Sequence, residues 1–293
     1  MAERPASPRR PPWLVKRLPV SCASAVPKLV EDLKLNTVCR SAKCPNLAEC
    51  WARGTATFMI LGERCTRGCR FCAVEGGTPL PPDEDEPRRV AEASTQLGLT
   101  FVVVTSVTRD DLPDGGAAHF VATVEAVHRI TRARVEVLVP DFQGRAASVE
   151  EVVRSGCEVF AHNLETVPRL YDEVRPGADF ERSVEVLRLA ASVAAEEQVV
   201  KSGIMVGLGE TAHEVAETLS RMYDAGCRSV TMGQYLSPDE SRLPVAEYVE
   251  PGRFEEYARL ARRMGFASVA SGPFVRSSYL ADQGWEQARK RAT

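Results

Sequence analysis

Continuous apolar runs alternate with helix-period segments from residue 56 onward, and this alternation limits the possible folds more than any other feature of the chain. Each run has the length of a strand, and the segments between runs repeat apolar residues three or four positions apart. Strands without a polar face, separated by helices, predict a parallel sheet that helices cover. The predicted strands are residues 56–61, 99–107, 134–140, 157–164, 199–209 and 228–236.

Six such units are fewer than the eight of a closed barrel, so the pattern predicts an α/β fold, a partial TIM barrel of about six βα units. The repeat occupies residues 56–236, which we take as the barrel domain. Residues 1–55 and 237–293 lie outside the repeat. We expect them to be extensions that pack on the barrel and not independent domains.

Polar or sulfur-containing residues follow every predicted strand. In parallel barrels the carboxyl ends of the strands lie on one rim, where functional residues collect. The sequence therefore predicts a single functional rim. Its candidate residues are Cys65, Cys69, Cys72, Ser106, Asp141, Asn163, Glu165, Glu210 and Gln234.

Composition limits the class of protein. The chain has 293 residues, 44% of them hydrophobic, and its net charge of −3 gives no sign of nucleic-acid binding. No apolar run has the length of a membrane span. The start, "MAERPASPRRPPWLVKRLP", has no apolar stretch of signal-peptide type, and a disordered tail is favoured over a mitochondrial transit peptide. We expect a soluble cytoplasmic protein, with a mitochondrial location as the alternative.

Six of the nine cysteines fall into two triads of different spacing. In a reducing compartment, clustered cysteines bind metal or do redox chemistry and do not form a disulfide framework. The first triad, C-x4-C-x5-C, is Cys39, Cys44 and Cys50; the second, C-x3-C-x2-C, is Cys65, Cys69 and Cys72. The other three are isolated; Cys157 and Cys227 are predicted to be small core residues, and Cys22 lies near the amino terminus.

The second triad directly follows the first predicted strand. Three thiolates within eight residues can hold three corners of one iron–sulfur cluster, a centre that soft ligands favour. Structural zinc is the alternative, but no histidine or cysteine lies at the spacing of a fourth zinc ligand. A cluster with one open iron suits a site where a small molecule completes the coordination.

With Phe71 before its last cysteine, the second triad resembles the signature of radical S-adenosylmethionine enzymes. That superfamily has a partial barrel of six βα units, in agreement with the strand count. The resemblance implies that the open iron binds S-adenosylmethionine, which an electron from the cluster cleaves to a 5′-deoxyadenosyl radical.

Further contacts with S-adenosylmethionine follow from the same resemblance. The stretch "GIMVGLGE" resembles the superfamily motif that lies along the adenosine, which implicates Gly203, Met205, Gly207 and Glu210. Ser106 lies where the superfamily often contacts the methionine moiety. Asn163 and Glu165 are candidates for contact with S-adenosylmethionine or substrate, and structural hydrogen bonding is the alternative for both.

The first triad narrows the resemblance to lipoyl synthase. The blocks "TVCRSAKCPNLAECW", "TSVTRDDLPDGG", "VFAHNLETVPRLYDEVRPGADF" and "VASGPFVRSSY" resemble blocks of that family, in the family's order, from about "PPWL" to the end of the chain. The resemblance implies insertion of two sulfur atoms at carbons 6 and 8 of an octanoyl chain, carried in amide linkage on a lysine of a lipoyl domain. The sulfur comes from an auxiliary 4Fe–4S cluster.

Ligands and partners are implied as well. The resemblance assigns the second triad to the radical 4Fe–4S cluster and the first triad to the auxiliary one, which the two extensions carry. A serine of "RSSY" (276–279) is the fourth auxiliary ligand; we assign Ser278, with Ser277 as the alternative. The implied partners are octanoylated lipoyl domains (2-oxoacid dehydrogenase E2 subunits and glycine cleavage H protein), a ferredoxin- or flavodoxin-type reductant and an iron–sulfur delivery protein. We expect a monomer.

Two other functions compete with this interpretation. A sulfur-inserting radical enzyme of biotin-synthase type would lack both the first triad and the terminal "RSSY". A non-catalytic iron–sulfur carrier would give each cluster four protein ligands and needs no nucleoside-binding rim. Basic residues flank the triads and either offset cluster charge, meet an acidic carrier domain or form a solvated edge; they are Arg40, Lys43, Arg64, Arg67 and Arg70.

Overall fold

The computed structural model describes residues 9–16 and 25–292, so Cys22 and most of the amino-terminal stretch lie outside the described residues. The strands are β1 (Asn36–Thr37), β2 (Thr57–Ile60), β3 (Arg64–Cys65), β4 (Glu75–Gly76), β5 (Phe101–Ser106), β6 (Arg134–Leu138), β7 (Val159–Ala161), β8 (Val199–Val206), β9 (Ser229–Gln234) and β10 (Ser268–Gly272). The α-helices are α1 (Val26–Asp32), α2 (Val38–Ser41), α3 (Leu47–Ala52), α4 (Glu86–Gln96), α5 (Ala117–Ile130), α6 (Ala146–Arg154), α7 (Tyr171–Val174), α8 (Phe180–Val193), α9 (Ala212–Asp224), α10 (Pro251–Met264) and α11 (Ala281–Ala292). Three 3-10 turns cover Pro12–Leu14, Phe142–Gly144 and Pro168–Leu170.

In the described residues the main sheet has eight strands, in the order β1-β2-β5-β6-β7-β8-β9-β10. Every neighbouring pair is parallel except β1 with β2, which is antiparallel. The six predicted strands are all present, as β2 and β5 to β9, which confirms the parallel α/β prediction. Within the described ranges the end strands β1 and β10 do not pair with each other, as a partial barrel requires.

Two strands of the sheet come from outside the predicted repeat. β1 has only two residues, and β10 reads "SVASG", a run of small and polar residues instead of a continuous apolar run. β10 nevertheless pairs with β9 along its full length, from Ser268 with Ser229 to Gly272 with Gly233. The sheet therefore continues into the carboxyl-terminal extension.

Burial on both faces explains the apolar strands. All six residues of β9 and all four of β2 are buried, because side chains from alternate positions contact the barrel interior and the covering helices. In α9, a capping box between Thr211 and Glu214 starts the helix, and the apolar face formed by Val215, Leu219 and Met222 is buried.

Helix α11 packs at the amino-terminal end of the barrel. Its Ala288 clusters with Val159 and Val199, the first residues of β7 and β8, and Trp285 packs against this cluster. The guanidinium of Arg134, the first residue of β6, lies 4.2 Å from the Trp285 ring centroid. The carboxyl ends of the parallel strands lie at the opposite end of the barrel. Among the described helices, none is both long and apolar enough to cross a membrane.

Candidate functional site

A cavity of about 880 Å³ extends from the carboxyl ends of the strands and reaches both cysteine triads. The two triads are separate in the sequence, but in the structure both line this cavity. The predicted site residues that line it are Cys39, Cys44, Cys50, Cys65, Cys69, Cys72, Phe71, Ser106, Asn163, Glu165, Gly203, Met205, Gln234, Ser277 and Ser278. The predicted residues Asp141, Gly207 and Glu210 do not line it.

The second triad begins with Cys65, the last residue of β3, and continues on the loop that follows this strand. The sulfur of Cys65 accepts hydrogen bonds from the backbone amides of Arg67 (3.4 Å) and Thr108 (3.3 Å). Burial raises the pKa of the Cys72 thiol to about 11 and also raises that of Cys69, although the nearby Arg175 opposes the rise. These thiols are protonated at neutral pH, so metal binding here releases protons.

The first triad is folded by two short helices. Cys39 lies on α2 and Cys50 on α3, and Cys44 lies in the turn between them, its amide bonded to the Cys39 carbonyl at 3.0 Å. Burial raises the pKa of Cys39, and it raises that of Cys50 to about 11 with additional repulsion from Cys39 and Cys44. The three sulfurs are therefore near enough to influence one another.

The donor set of each triad fits an iron–sulfur cluster. Thiolates are the ligands that such clusters favour, and each cysteine of a four-iron cluster binds a different iron atom. Their sulfurs therefore need not converge on one point. In the part of the chain that the structure describes, no group of three His, Cys, Asp or Glu side chains is arranged around a single metal ion.

The end of β7 presents a polar group beside the second triad. The Asn163 amide donates to Glu165 Oε1 at 3.1 Å, and Arg175 Nη1 donates to the Asn163 carbonyl at 3.0 Å. Burial raises the pKa of Glu165, against the attraction of Arg175 and Arg276. The backbone of Glu165 also bonds to β8, since its carbonyl accepts from the Met205 amide at 2.8 Å. These bonds hold both predicted residues at the cavity wall.

Ser106 and Gly203 lie on the same wall for different reasons. Ser106 ends β5, and its buried hydroxyl has no hydrogen-bond partner among the described residues, so it is available to a ligand. A Cβ atom at position 203 would come within 2.4 Å of Thr231 Oγ1 and 3.1 Å of Asn163 Oδ1. Glycine is therefore required here by the close approach of neighbouring strands.

Gly207 and Glu210 form a turn outside the cavity lining. The Glu210 carboxylate accepts hydrogen bonds from the Gly207 amide (2.5 Å) and the Leu208 amide (2.9 Å). Gly207 has φ +99°, and a Cβ atom there would lie 2.1 Å from Gln234 Nε2. Packing and turn geometry thus account for both residues in the structure, and their contact with adenosine stays a prediction.

The carboxyl-terminal loop connects the first triad to the barrel. Asn46 Nδ2 donates to the Phe274 carbonyl at 2.7 Å, and the Tyr279 hydroxyl donates to Glu49 at 2.8 Å, across more than 220 residues of sequence. From the barrel side, the Ser277 hydroxyl donates to Asn163 Oδ1 at 3.3 Å. The Ser278 hydroxyl makes no hydrogen bond to the described residues, which leaves it available to the cavity.

Arg67, which sequence reasoning treated only as a flanking charge, is a structural part of the second triad's loop. It donates to Asp110 at 2.7 and 2.9 Å and to the fully buried Asp141 at 2.6 Å. Burial alone would raise the pKa of Asp141, but the hydrogen bonds and charge of Arg67 hold it at about 2. In the sequence, Arg67 lies inside C-x3-C-x2-C, and an acidic pair, "DD", follows β5. These two features are the sequence signal for its ion pair with Asp110.

His162 and Arg276 also line the cavity and were not predicted. Burial lowers the pKa of the fully buried His162 to about 4, so it is neutral; Nδ1 donates to the Val139 carbonyl at 2.9 Å, and Nε2 has no partner among the described residues. Burial lowers the pKa of Arg276, while charge interactions with Cys44 and Glu165 oppose this. Arg276 therefore lies near Cys44 of the first triad and near Glu165, which follows β7.

Most of the other basic residues that flank the triads contact a side chain next to them in space. Lys43 pairs with Asp239 at 2.8 Å, Arg70 with Glu173 at 3.5 Å, and Arg40 lies over the Trp51 ring at 5.1 Å. Cys157 and Cys227 are fully buried in the core, as predicted, and burial raises both pKa values, that of Cys157 to about 12.

Comparison with known sequences gives consistent matches. The profile of the Radical SAM superfamily matches residues 59–222. A protein of Caldanaerobacter subterraneus subsp. tengcongensis named lipoyl synthase is 52% identical over 281 residues, which cover 96% of this chain and 99% of that protein. A protein of Chlorobium limicola with the same name is 49% identical over 278 residues and covers 94% of each chain.

Solved structures match in fold at low identity. The FeFe-hydrogenase maturase HydG from Carboxydothermus hydrogenoformans is 16% identical with a TM-score of 0.57, and the match covers 72% of this chain and 52% of that chain. Methylornithine synthase (PylB) is 16% identical with a TM-score of 0.54, covering 80% and 68%. These likenesses support the partial-barrel fold alone.

Proposed function

Because the chain belongs to the lipoyl synthase family of the radical S-adenosylmethionine superfamily, we propose that it inserts two sulfur atoms into a protein-bound octanoyl chain. This membership confirms the family resemblance that the cysteine spacings indicated. The observation that carries the proposal is the single cavity whose wall includes both triads, both serines of "RSSY" and the polar residues at the strand ends.

In this proposal the second triad holds the radical 4Fe–4S cluster, and the first triad with Ser278 holds the auxiliary cluster. When bound, S-adenosylmethionine on the reduced radical cluster supplies a 5′-deoxyadenosyl radical that removes a hydrogen atom, and the auxiliary cluster supplies the sulfur. Carbon 6 and carbon 8 each lose one hydrogen and gain one carbon–sulfur bond. Two S-adenosylmethionine molecules are consumed for each lipoyl group.

The residues of the barrel rim bind and orient S-adenosylmethionine. The free Ser106 hydroxyl and the neutral Nε2 of His162 offer hydrogen bonds that nothing in the described protein uses. Asn163 and Glu165 offer acceptors for an ammonium group beside the second triad. Phe71 lies on the cavity wall, where its ring gives this part of the site an apolar surface.

The cavity also offers a surface for an acyl chain. Met59, Val103 and Leu138 line it from β2, β5 and β6, and these side chains give it an apolar wall. An eight-carbon chain gains free energy from burial against such a wall. An octanoyl group, which has no charge of its own, therefore suits this space better than a polar substrate does.

Hydrogen bonding favours Ser278 over Ser277 as the auxiliary ligand. The Ser277 hydroxyl is already bonded to Asn163, and its carbonyl accepts from Lys201. The Ser278 hydroxyl is not bonded to the described residues, so ligation of iron by its alkoxide costs no existing hydrogen bond. An oxygen ligand among thiolates is a hard donor on a soft site. That mismatch suits a corner that must exchange when sulfur leaves.

The partners follow from the reaction class. We propose that octanoylated lipoyl domains of 2-oxoacid dehydrogenase E2 subunits and glycine cleavage H protein are the substrates. A ferredoxin- or flavodoxin-type protein supplies electrons, and an iron–sulfur delivery protein restores the auxiliary cluster. We further propose that the chain acts as a monomer in the cytoplasm.

The test is anaerobic reconstitution with iron and sulfide, followed by incubation with reductant, S-adenosylmethionine and an octanoylated lipoyl domain. We expect two clusters per chain, and a lipoyl domain whose mass rises by two sulfurs as the dithiol and, after oxidation of the two thiols to the disulfide, by two sulfurs less two hydrogens. Ser278→Ala should keep cleavage of S-adenosylmethionine and lose the lipoyl product.

Each failure identifies a different error. A reconstituted chain with one cluster, or with two clusters and no sulfur insertion, would overturn the proposed function. Absence of S-adenosylmethionine cleavage would point to the carrier alternative. Normal product from Ser278→Ala together with loss of product from Ser277→Ala would show that the other serine is the ligand.

A further inference from the structure

A buried ion pair inside the barrel contacts the backbone of the "RSSY" loop. Lys201 of β8 and Glu136 of β6 lie on either side of β7, and their residues are 4% and 1% exposed. Lys201 Nζ bonds to both carboxylate oxygens of Glu136, at 2.7 and 2.9 Å. Its third bond goes to the Ser277 carbonyl, at 2.7 Å. All three donors of the ammonium group are therefore used.

Stability alone is a weak reason for such a pair. Desolvation of two charges costs several kcal/mol, and buried ion pairs can often be replaced by apolar residues without loss of stability. Two of the three acceptors belong to the sheet, which fixes the ammonium group rigidly. The Ser277 carbonyl is the one acceptor that comes from the carboxyl-terminal extension. The pair therefore connects the rigid barrel to that loop.

The bond to Ser277 determines the orientation of the following residue. The Ser277 carbonyl and the Ser278 amide belong to one planar peptide unit. When the carbonyl is held by Lys201, only rotation about the Ser278 backbone and side-chain torsions remains to place the Ser278 hydroxyl. The Ser277 hydroxyl bond to Asn163 restrains the same peptide unit from its other side.

Contacts with β9 and with the segment of the first triad also restrain the "RSSY" loop. A Cβ atom at Gly233 of β9 would lie 2.2 Å from the Val275 carbonyl, so the loop packs directly on the backbone of the sheet. Asn46 and Glu49 hold Phe274 and Tyr279, but both belong to the segment of the first triad. Lys201 has no contact with that segment among its bonds, so its restraint does not depend on the cluster-binding helices.

We propose that Lys201, held by Glu136, is a positioning residue that fixes the "RSSY" loop so that the Ser278 hydroxyl reaches the auxiliary cluster. This rests on the proposed function only for the role of Ser278. The anchoring of the loop itself can be tested on the full chain without iron.

The first experiment measures backbone hydrogen exchange in the metal-free chain. The Val275 amide bonds to the carbonyl of Gly272 at the end of β10, and the Tyr279 amide bonds to the Arg276 carbonyl, so peptides that cover residues 273–280 report opening of the loop. The double variant Lys201→Met/Glu136→Leu removes the anchor and leaves an apolar pair that keeps the barrel packed. We expect exchange in these peptides to rise about tenfold or more, as for loss of a hydrogen bond from a charged donor.

A matched control tests whether any substitution of a buried residue in β8 is enough to loosen the loop. Ser202 is the next residue, it is fully buried, and its hydroxyl has no partner among the described residues. Ser202→Ala should leave exchange in residues 273–280 unchanged. Equal exchange in the double variant and in Ser202→Ala, with peptides of β6 and β8 protected in both, would overturn the anchoring.

The second experiment uses the reconstituted enzyme. We expect the double variant to cleave S-adenosylmethionine within about twofold of the wild-type rate, to lose iron of one cluster more quickly and to form at least about tenfold less lipoyl product. Normal cluster retention and product formation despite faster exchange would overturn the positioning role and leave the proposed function intact. If the wild-type chain forms no product, the proposed function fails, and the exchange experiment still decides the anchoring.

Discussion

The Arg67–Asp141 pair offers the sharpest test of how the loop of the second triad is held. The Arg67 side chain is 7% exposed and that of Asp141 is 0% exposed, at a distance of 2.6 Å. Loss of one partner from a buried pair costs about 3–5 kcal/mol when the other charge stays buried without compensation. Asp141 keeps Arg182 at 3.2 Å and the Gln143 amide at 3.1 Å, so the lower end of this range applies. Arg67→Met should therefore lower the free energy of unfolding of the metal-free chain by about this amount at pH 7.

The pH dependence separates this cause from a general packing defect. In the wild type the pKa of Asp141 is depressed from 3.8 to about 2, so this group contributes about 2 kcal/mol that is present above pH 4 and is lost as the pH falls towards 2. Without Arg67, burial shifts the pKa of Asp141 upward, opposed by the remaining contacts with Arg182 and the Gln143 amide. The carboxylate then destabilises the variant at pH 7, and this cost disappears as it protonates on acidification.

Urea unfolding of the metal-free chain at pH 7, 6 and 5 measures the difference. We expect the gap between wild type and Arg67→Met to narrow as the pH falls, and Asp141→Asn in the Arg67→Met background to recover part of the loss. The matched control is Arg88→Met, which removes an exposed arginine that is bidentate to Asp85 at 2.7 and 2.8 Å and should shift the urea midpoint little. A gap that is constant with pH, or no recovery in the double variant, would refute the reasoning.

Three further predictions concern single positions. Gly207→Ala places a Cβ atom 2.1 Å from Gln234 Nε2, on a residue with φ +99°. The free energy of unfolding, measured by urea titration, should therefore fall by about 2 kcal/mol or more. An unchanged urea midpoint would contradict the packing argument. Ser106→Ala should raise KM for S-adenosylmethionine about tenfold without loss of stability, because the hydroxyl has no protein partner; an unchanged KM would remove Ser106 from the site. Cys227→Ala should leave the iron content of the reconstituted chain unchanged, whereas Cys72→Ala should reduce it by one cluster. Equal losses of iron in the two variants would contradict the assignment of Cys72 as a cluster ligand.

The structural features that the sequence predicts correctly depend on residues that are close to one another in the chain. The six strands are predicted correctly because each is a continuous apolar run in the sequence. The strand β10 was missed because "SVASG" has little apolar character, although it pairs with β9 along its length. Its pairing depends on an existing sheet edge and not on its own composition.

Long-range polar contacts were beyond prediction for a related reason. Lys201 and Glu136 each occur in an apolar run, and nothing within either run identifies the other as its partner. Their contact requires the strand order β6-β7-β8 and the register that pairs Lys201 with Ala161 and Glu136 with Val159. Arg67 and Asp141 are separated by 74 residues, and their pairing likewise depends on where the loops after β2 and β6 meet.

Strand β10 also determines where the "RSSY" loop lies. Because β10 is parallel to β9, it ends at the same rim as the other strands, and residues 273–280 begin there. A loop on this rim can contact both Asn163 at the end of β7 and Glu49 in α3, as Ser277 and Tyr279 do. If the last strand ran antiparallel, the loop would begin at the end that α11 covers, far from both triads. The carboxyl-terminal extension therefore reaches the first triad by adding a strand to the barrel, and the position of Ser278 depends on that added strand as well as on the "RSSY" residues.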